Sequence, residues 1–125
     1  MYLGSFKQLD IVSEYFDDFK TEDNFILVDP VMADNGNLYK GFDQAFADSM
    51  AKLCAKADII VPNLTEASYM LHTPYVAKGY TKEYIEDLLK KLTDLGCKKA
   101  VLTGVSFEDG KLGVYGYDSQ QNKYF

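Results

Sequence analysis

The stretch FILVDPVMAD, residues 25–34, joins an uninterrupted apolar run to two carboxylates on either side of a proline. Residues 25–28 show no polar alternation, which predicts a strand covered on both faces, as in parallel sheets packed between helices. Pro30 cannot donate to a sheet and keeps the preceding residue extended, so Asp29 is expected at the strand end. Ligands bind at the carboxyl ends of strands in open α/β sheets, so Asp29 is a candidate site residue, with a turn cap as the alternative.

Composition and charge exclude several classes of partner. The 125 residues are 47% hydrophobic, which suffices for the core of one domain. A net charge of −6 leaves no basic stripe for nucleic acid. No apolar segment approaches the length of a membrane span, and the N-terminus lacks the pattern of a signal peptide, so we expect a cytoplasmic protein with no membrane partner.

The two cysteines have no metal-binding spacing. Cys54 and Cys97 are far apart in sequence, and neither lies at ligand-like spacing from His72, the one histidine. We predict buried free thiols rather than a disulfide or a metal site.

Apolar periodicity predicts alternating strands and helices. Helices are expected after Ser5, at 43–57, after Asn63 and at 81–95, and strands at 25–28, 57–62 and 99–105. Residues 33–43 (ADNGNLYKGFD) are predicted to be a loop, and the segment after Ser106 a β-hairpin. Residues 2–4 resemble the end of a strand and 123–125 the start of another. We therefore expect residues 1–125 to be a partial domain of a longer enzyme.

Polar groups follow each predicted strand. Strands joined by helical connections should run parallel with right-handed crossovers, so their carboxyl ends share one edge. That edge would collect a set of carboxylate, amide, hydroxyl and bare backbone groups: Asp29, Asp34, Asn63, Glu66, Thr103 and Gly104. Asn63 and Glu66 are also spaced as a capping box, which needs no ligand.

This donor set suits one kind of chemistry. Carboxylates beside a helix N-terminus, without a nucleophile or catalytic histidine, are typical of a magnesium ion that bridges phosphates. Phosphoryl transfer needs mainly positioning and charge neutralisation, which such an edge supplies. The chain has neither a Gly-x-x-x-x-Gly-Lys phosphate loop nor a Gly-x-Gly-x-x-Gly motif, which argues against the nucleotide folds that use them.

Four motifs resemble the pyridoxal/pyridoxamine kinase family of the ribokinase-like superfamily. They are YLGS at 2–5, DPVMADNGNLY at 29–39, VPNLTEA at 61–67 and VLTGV at 101–105, and they span essentially the whole chain. The resemblance implies a three-layer α/β sandwich whose mainly parallel sheet is flanked by helices. It also implies ATP-dependent phosphorylation of the 5'-hydroxymethyl group of pyridoxal, pyridoxamine or pyridoxine, with Mg²⁺ and a monovalent cation such as K⁺, and a homodimer is expected.

The resemblance also implies roles for individual residues. Asp29, Asp34 and Glu66 would lie at the metal, and Tyr2 would lie near the pyridoxal ring. The nucleotide and its phosphates would contact Asp29, Val61, Asn63, Glu66, Thr103 and Gly104.

Some features depart from the family pattern. Ala33 stands where the family usually has glycine. The family's anion hole and catalytic aspartate should follow Phe125, and the N-terminal part that supplies much of the vitamin pocket should precede Met1. We therefore expect no catalytic base and no kinase activity in these residues alone. Two alternatives stay open: a hydroxymethylpyrimidine/phosphomethylpyrimidine kinase of thiamine synthesis, and a non-catalytic module that binds nucleotide or dimerises.

Overall fold

The computed structural model describes residues 4–21, 23–108 and 110–125. The predicted strand end at residues 2–4 lies almost wholly outside them. The elements in chain order are α1 (Phe6–Phe19), β1 (Leu27–Val28), β2 (Ala33–Asp34), β3 (Asn37–Leu38), α2 (Gln44–Cys54), β4 (Ile59–Ile60), α3 (Leu64–Leu71), α4 (Lys82–Asp94), β5 (Lys99–Glu108), β6 (Lys111–Asp118) and β7 (Lys123–Tyr124).

Five strands form one sheet in the order β1-β4-β5-β6-β7. Strands β1, β4 and β5 are parallel neighbours, whereas β6 and β7 pair antiparallel. The predicted α/β fold with a C-terminal hairpin is confirmed, and the antiparallel strands make the sheet mixed. Because β1, β4 and β5 run parallel, their carboxyl ends lie at one edge, where the candidate residues were expected.

Local capping signals set the helix starts. The side chains of Ser5, Asp43 and Thr81 each accept a hydrogen bond from the backbone N–H three residues on, at the starts of α1, α2 and α4. Each side chain satisfies an amide that the helix itself leaves unpaired. The helices expected after Ser5 and at 43–57 and 81–95 are confirmed.

Strand β1 is covered on one face only, so the prediction of cover on both faces is wrong. Val28, Ile60 and Ala100 pair in register and lie in the core shared with the helices. Phe25 and Leu27, on the other face, are 56% and 54% exposed. An apolar run indicates that a segment favours the strand conformation. It does not show which faces of the strand are covered, because the cover comes from other elements, and β1 lies at the edge of the sheet.

The segment predicted as a loop at 33–43 contains a β-hairpin, so that prediction is also wrong. Strands β2 and β3 pair antiparallel and form a sheet separate from the main one. Their turn is Asn35–Gly36, with φ of 51° and 84°. A two-residue turn with positive φ at both positions matches the twist of a hairpin, and Asn-Gly is its preferred sequence. The signal was present, but strands of two residues are too short to show alternation.

Both cysteines lie in the hydrophobic core. Cys54 and Cys97 are buried free thiols, as predicted, and burial raises the pKa of both. Among the helices of the described ranges, none is both long and apolar enough to cross a membrane.

A buried carboxylate ties β1 to β4 at the amino-terminal edge of the sheet. Asp58 is 7% exposed, and its Oδ2 accepts hydrogen bonds from the Ile26 N–H at 2.7 Å and from Lys20 Nζ at 2.8 Å. Burial works to raise the pKa of Asp58, but the bonds from Lys20 and Ile26 and the Lys20 charge outweigh it and hold that pKa below its ordinary value of 3.8.

We expect Asp58→Asn to lower the free energy of unfolding by about 2 kcal/mol at pH 7, because Ile26 and Lys20 would then donate to a neutral amide instead of a charged carboxylate. The lowered pKa means that this contribution exists above about pH 4 and is lost as pH falls through the folded-state pKa. Urea denaturation at pH 7 and pH 3 measures both effects. Asp17→Asn is the control: Asp17 pairs with Lys56 at 2.8 Å on the surface and should cost under about 0.5 kcal/mol. Equal losses in both variants would contradict the prediction.

Candidate functional site

The N-terminus of α3 lies at the centre of the candidate site. The Asn63 side chain accepts the Glu66 N–H at 2.8 Å, and Glu66 Oε1 accepts the Asn63 N–H at 2.9 Å. This reciprocal pair is the capping box that the spacing of the two residues indicated. Both candidate residues therefore have a structural role in addition to any role in binding.

Both residues also reach the loop that follows β1. Glu66 Oε2 accepts the Met32 N–H at 2.9 Å, and Asn63 Nδ2 donates to the Ala33 carbonyl at 2.8 Å. Glu66 is 3% exposed, and each of its oxygens accepts a backbone N–H. Burial and, to a smaller extent, the charge of Asp29 raise the pKa of Glu66 to about 7, although the two N–H donors favour the charged form.

Two other candidate carboxylates are exposed. Asp29 directly follows β1, and within the described ranges its carboxylate accepts no hydrogen bond. Asp34, in β2, accepts the Asn35 N–H at 2.9 Å through Oδ1. Both therefore keep oxygen atoms available to a ligand. Val61 donates its N–H to the Val28 carbonyl at 3.0 Å, which places its backbone beside the end of β1.

Thr103 and Gly104 lie at the same edge as Asn63. Thr103 forms a parallel bridge with Asn63 and donates its N–H to the Pro62 carbonyl at 3.0 Å. Gly104 is exposed at a register shift between β5 and β6. The structure thus brings a hydroxyl and an irregular backbone segment next to the N-terminus of α3.

The last candidate residue, Tyr2, lies outside the described residues. His72, which was not a candidate, follows the end of α3 and bonds Asp48 at 2.7 Å. Across residues 4–21, 23–108 and 110–125, no three His, Cys, Asp or Glu side chains are grouped to hold a metal ion. The assignment of Asp29, Asp34 and Glu66 to a metal stays a prediction.

Thr65 and Tyr69, which attach the β2–β3 hairpin to α3, are not among the candidate residues that the motifs indicated. Gly36 in the turn donates its N–H to Thr65 Oγ1 at 2.9 Å, and the Tyr69 hydroxyl donates to the Gly36 carbonyl at 3.2 Å. The Asn-Gly turn could have signalled the hairpin. Nothing local signals its partner, because Thr65 lies 29 residues further along the chain.

A family model described as phosphomethylpyrimidine kinase matches residues 2–124. Comparison with curated proteins gives no match. A Bacteroides thetaiotaomicron protein, provisionally named phosphomethylpyrimidine kinase, is 43% identical to this chain and has a TM-score of 0.93. The match covers 98% of this chain and 42% of the Bacteroides protein. Its structure in a second crystal form, with pyridoxal, gives a TM-score of 0.91 at the same identity over 98% of this chain and 43% of its own.

Two pyridoxal kinases are also similar. The Lactobacillus plantarum enzyme is 30% identical with a TM-score of 0.83, over 99% of this chain and 42% of its own. An ADP complex of the Bacillus subtilis enzyme shares the fold at 21% identity and a TM-score of 0.78, over 100% of this chain and 45% of its own.

The chain spans about 42% of the length of the Bacteroides thetaiotaomicron and Lactobacillus plantarum proteins. The family model and the 43% and 30% identical structures each match nearly all of these 125 residues. The resemblance that the motifs indicated is therefore confirmed: the chain belongs to the phosphomethylpyrimidine kinase and pyridoxal kinase family, with a ribokinase-like fold.

Proposed function

We propose that this chain carries the phosphate-binding edge of an ATP-dependent kinase that phosphorylates the 5'-hydroxymethyl group of pyridoxal, pyridoxamine or pyridoxine. The observation that carries the proposal is the capped N-terminus of α3, which lies beside Thr103 and is bonded to the loop after Asp29. The 43% identical relative was crystallised with pyridoxal, and the 30% identical relative is a pyridoxal kinase, which supports the B6 vitamer as substrate.

Each group at this edge has a distinct role in the proposal. The positive end of the α3 dipole attracts phosphate oxygens, the Thr103 hydroxyl can donate to one, and the backbone of Val61 and Gly104 contacts the nucleotide. Magnesium would neutralise charge between the phosphates when bound. Magnesium usually takes one or two carboxylates and keeps several waters, so the exposed Asp29 and Asp34 suit it. The monovalent cation and the homodimer stay predictions.

Glu66 has a different role in this arrangement. Both of its oxygens are occupied by backbone N–H groups, so direct binding of the metal would require breaking one of these bonds. We assign Glu66 to holding the Met32 loop against α3, from where it would act on the metal through its charge or through water.

The second candidate function is phosphorylation of a hydroxymethylpyrimidine, which the description of the matching family model favours. Kinase assays of the longer enzyme with pyridoxal and with hydroxymethylpyrimidine separate the two. Preferential phosphorylation of pyridoxal is expected, and the reverse preference would favour the second candidate.

We expect the chain to bind Mg²⁺-ATP and Asp29→Asn to weaken that binding at least about tenfold, because a carboxylate available to the ion is lost. Asp29 is preferred to Glu66 for this test because its side chain is exposed and supports no other residue. Asp10→Asn, on the exposed face of α1, is the matched control. Because the relatives' chains are more than twice as long, we expect binding without turnover, which a coupled ADP-release assay checks. No binding by the unsubstituted chain, or equal binding by Asp29→Asn, would contradict the proposal.

A further inference from the structure

The β2–β3 hairpin has little of its own to hold it together. Each strand has two residues, and the hairpin pairs with no strand of the main sheet. An isolated two-stranded hairpin is at best marginally stable in water. The position of Asp34, which lies in β2, must therefore depend on contacts from outside the hairpin.

Helix α3 supplies those contacts at the turn. Thr65 Oγ1 accepts the Gly36 N–H at 2.9 Å, and the Tyr69 hydroxyl donates to the Gly36 carbonyl at 3.2 Å. Thr65 and Tyr69 are four residues apart, so they lie one turn apart on the same helix face. Thr65 is 2% exposed, which keeps water from competing for the Gly36 N–H.

An aromatic ring also packs against the turn. The Tyr75 ring lies so close to Gly36 that a Cβ on Gly36 would come within 2.8 Å of it. Gly36 is therefore held through its N–H, its carbonyl and its Cα, a set of contacts that we call the turn clamp.

The other end of the same segment is also attached to α3. Met32 is bonded to Glu66, and the Ala33 carbonyl to Asn63. Asp34 thus lies between two attachment points, with an exposed carboxylate. The first two turns of α3 fix the backbone on both sides of it.

We propose that Thr65 and Tyr69 are positioning residues that hold Asp34 in place for the metal and phosphates, an inference that rests on the proposed function. They need not touch the nucleotide. Their effect is to restrict the hairpin to one position, so that ligand binding does not have to bear the entropy cost of ordering it.

Amide hydrogen exchange tests the clamp without any ligand. Thr65→Val removes the hydroxyl that accepts the Gly36 N–H but keeps the shape of the side chain. Amide exchange at Gly36 should therefore be about tenfold faster, which corresponds to the loss of one buried hydrogen bond. Thr65→Ser keeps the hydroxyl and should restore protection, and Tyr69→Phe should accelerate exchange less, because it removes the partner of the carbonyl. Exchange at Ile60 and Leu102 in the core should not change. Unchanged exchange at Gly36 in Thr65→Val would overturn the clamp.

Calorimetry with Mg²⁺-ATP over a range of magnesium concentrations tests the positioning role. Thr65→Val should need several times more magnesium for half-saturation but approach the affinity of the unsubstituted chain at high magnesium, whereas Thr65→Ser should match the unsubstituted chain throughout. General destabilisation is excluded by unchanged exchange at Ile60 and Leu102, because a ligand that binds only the folded state would rescue a general loss of stability as well. Faster Gly36 exchange with unchanged magnesium dependence would overturn the positioning role. If the unsubstituted chain does not bind Mg²⁺-ATP, the proposed function and the role of Asp34 are both wrong. The amide exchange at Gly36 would still show whether the turn clamp exists.

Discussion

Glu66→Ala is expected to lower the free energy of unfolding by about 4 kcal/mol. The substitution leaves the buried N–H of Met32 and the partly buried N–H of Asn63 without acceptors, and each unsatisfied donor costs about 1–3 kcal/mol. It also breaks the capping box and releases the loop after β1 from α3. Urea denaturation monitored by circular dichroism at pH 7 measures the loss.

Glu66→Gln is the matched control because it keeps the size and one acceptor oxygen. We expect it to cost less than half as much as Glu66→Ala. A loss below about 1 kcal/mol in Glu66→Ala would show that the two N–H groups find other partners and would contradict the prediction.

The difference in stability between the unsubstituted chain and Glu66→Gln should depend on pH. The pKa of Glu66 is raised from 4.5 to about 7 in the folded chain. The folded state therefore binds this proton more tightly than the unfolded state, and the resulting stabilisation is complete below about pH 4.5 and lost as pH rises through about 7. Because Glu66→Gln cannot titrate, its stability relative to the unsubstituted chain should improve over that range.

Gly96→Ala is expected to lower the free energy of unfolding by about 3 kcal/mol. Gly96 follows α4 with φ of 136°, and a Cβ there would lie 2.8 Å from the backbone oxygen of Ala55 at the end of α2. A backbone atom cannot rotate away as a side chain can, so the ends of the two helices would have to separate. Thermal and urea denaturation measure the effect.

Gly79→Ala separates backbone strain from steric clash. Gly79 also has positive φ, 77°, but a Cβ there would meet no atom within 4 Å. It should cost only the conformational strain, about 1 kcal/mol. Similar losses at the two glycines would mean that the contact with Ala55 relaxes freely, contrary to the prediction.

Features that depend on near neighbours in sequence were predictable. Ser5 and Asn63 cap their helices as their spacing to Gln8 and Glu66 indicated, because a capping bond joins residues three apart. The order of strands and helical connections predicted that β1, β4 and β5 are parallel. This in turn placed Asp29, Asn63 and Thr103 at one edge of the sheet.

Features that depend on distant contacts were not predictable. The apolar run at 25–28 could not show that Phe25 and Leu27 face outward, since the cover of a strand is supplied by other elements. The hairpin at β2–β3 was missed because its stability comes from α3 rather than from its own strands. The bond between Gly36 and Thr65, across 29 residues, has no signature in either segment.

The family, the alternation of strands and helices, and the edge at which the polar groups gather could be inferred from the order of the amino acids, because periodicity, caps and motifs are local properties of the chain. The burial of Glu66 with both oxygens occupied, the availability of Asp29 and Asp34, and the attachment of the Gly36 turn to α3 emerge only in the folded chain. Burial, hydrogen-bond partners and pKa depend on groups that folding brings together from tens of residues away.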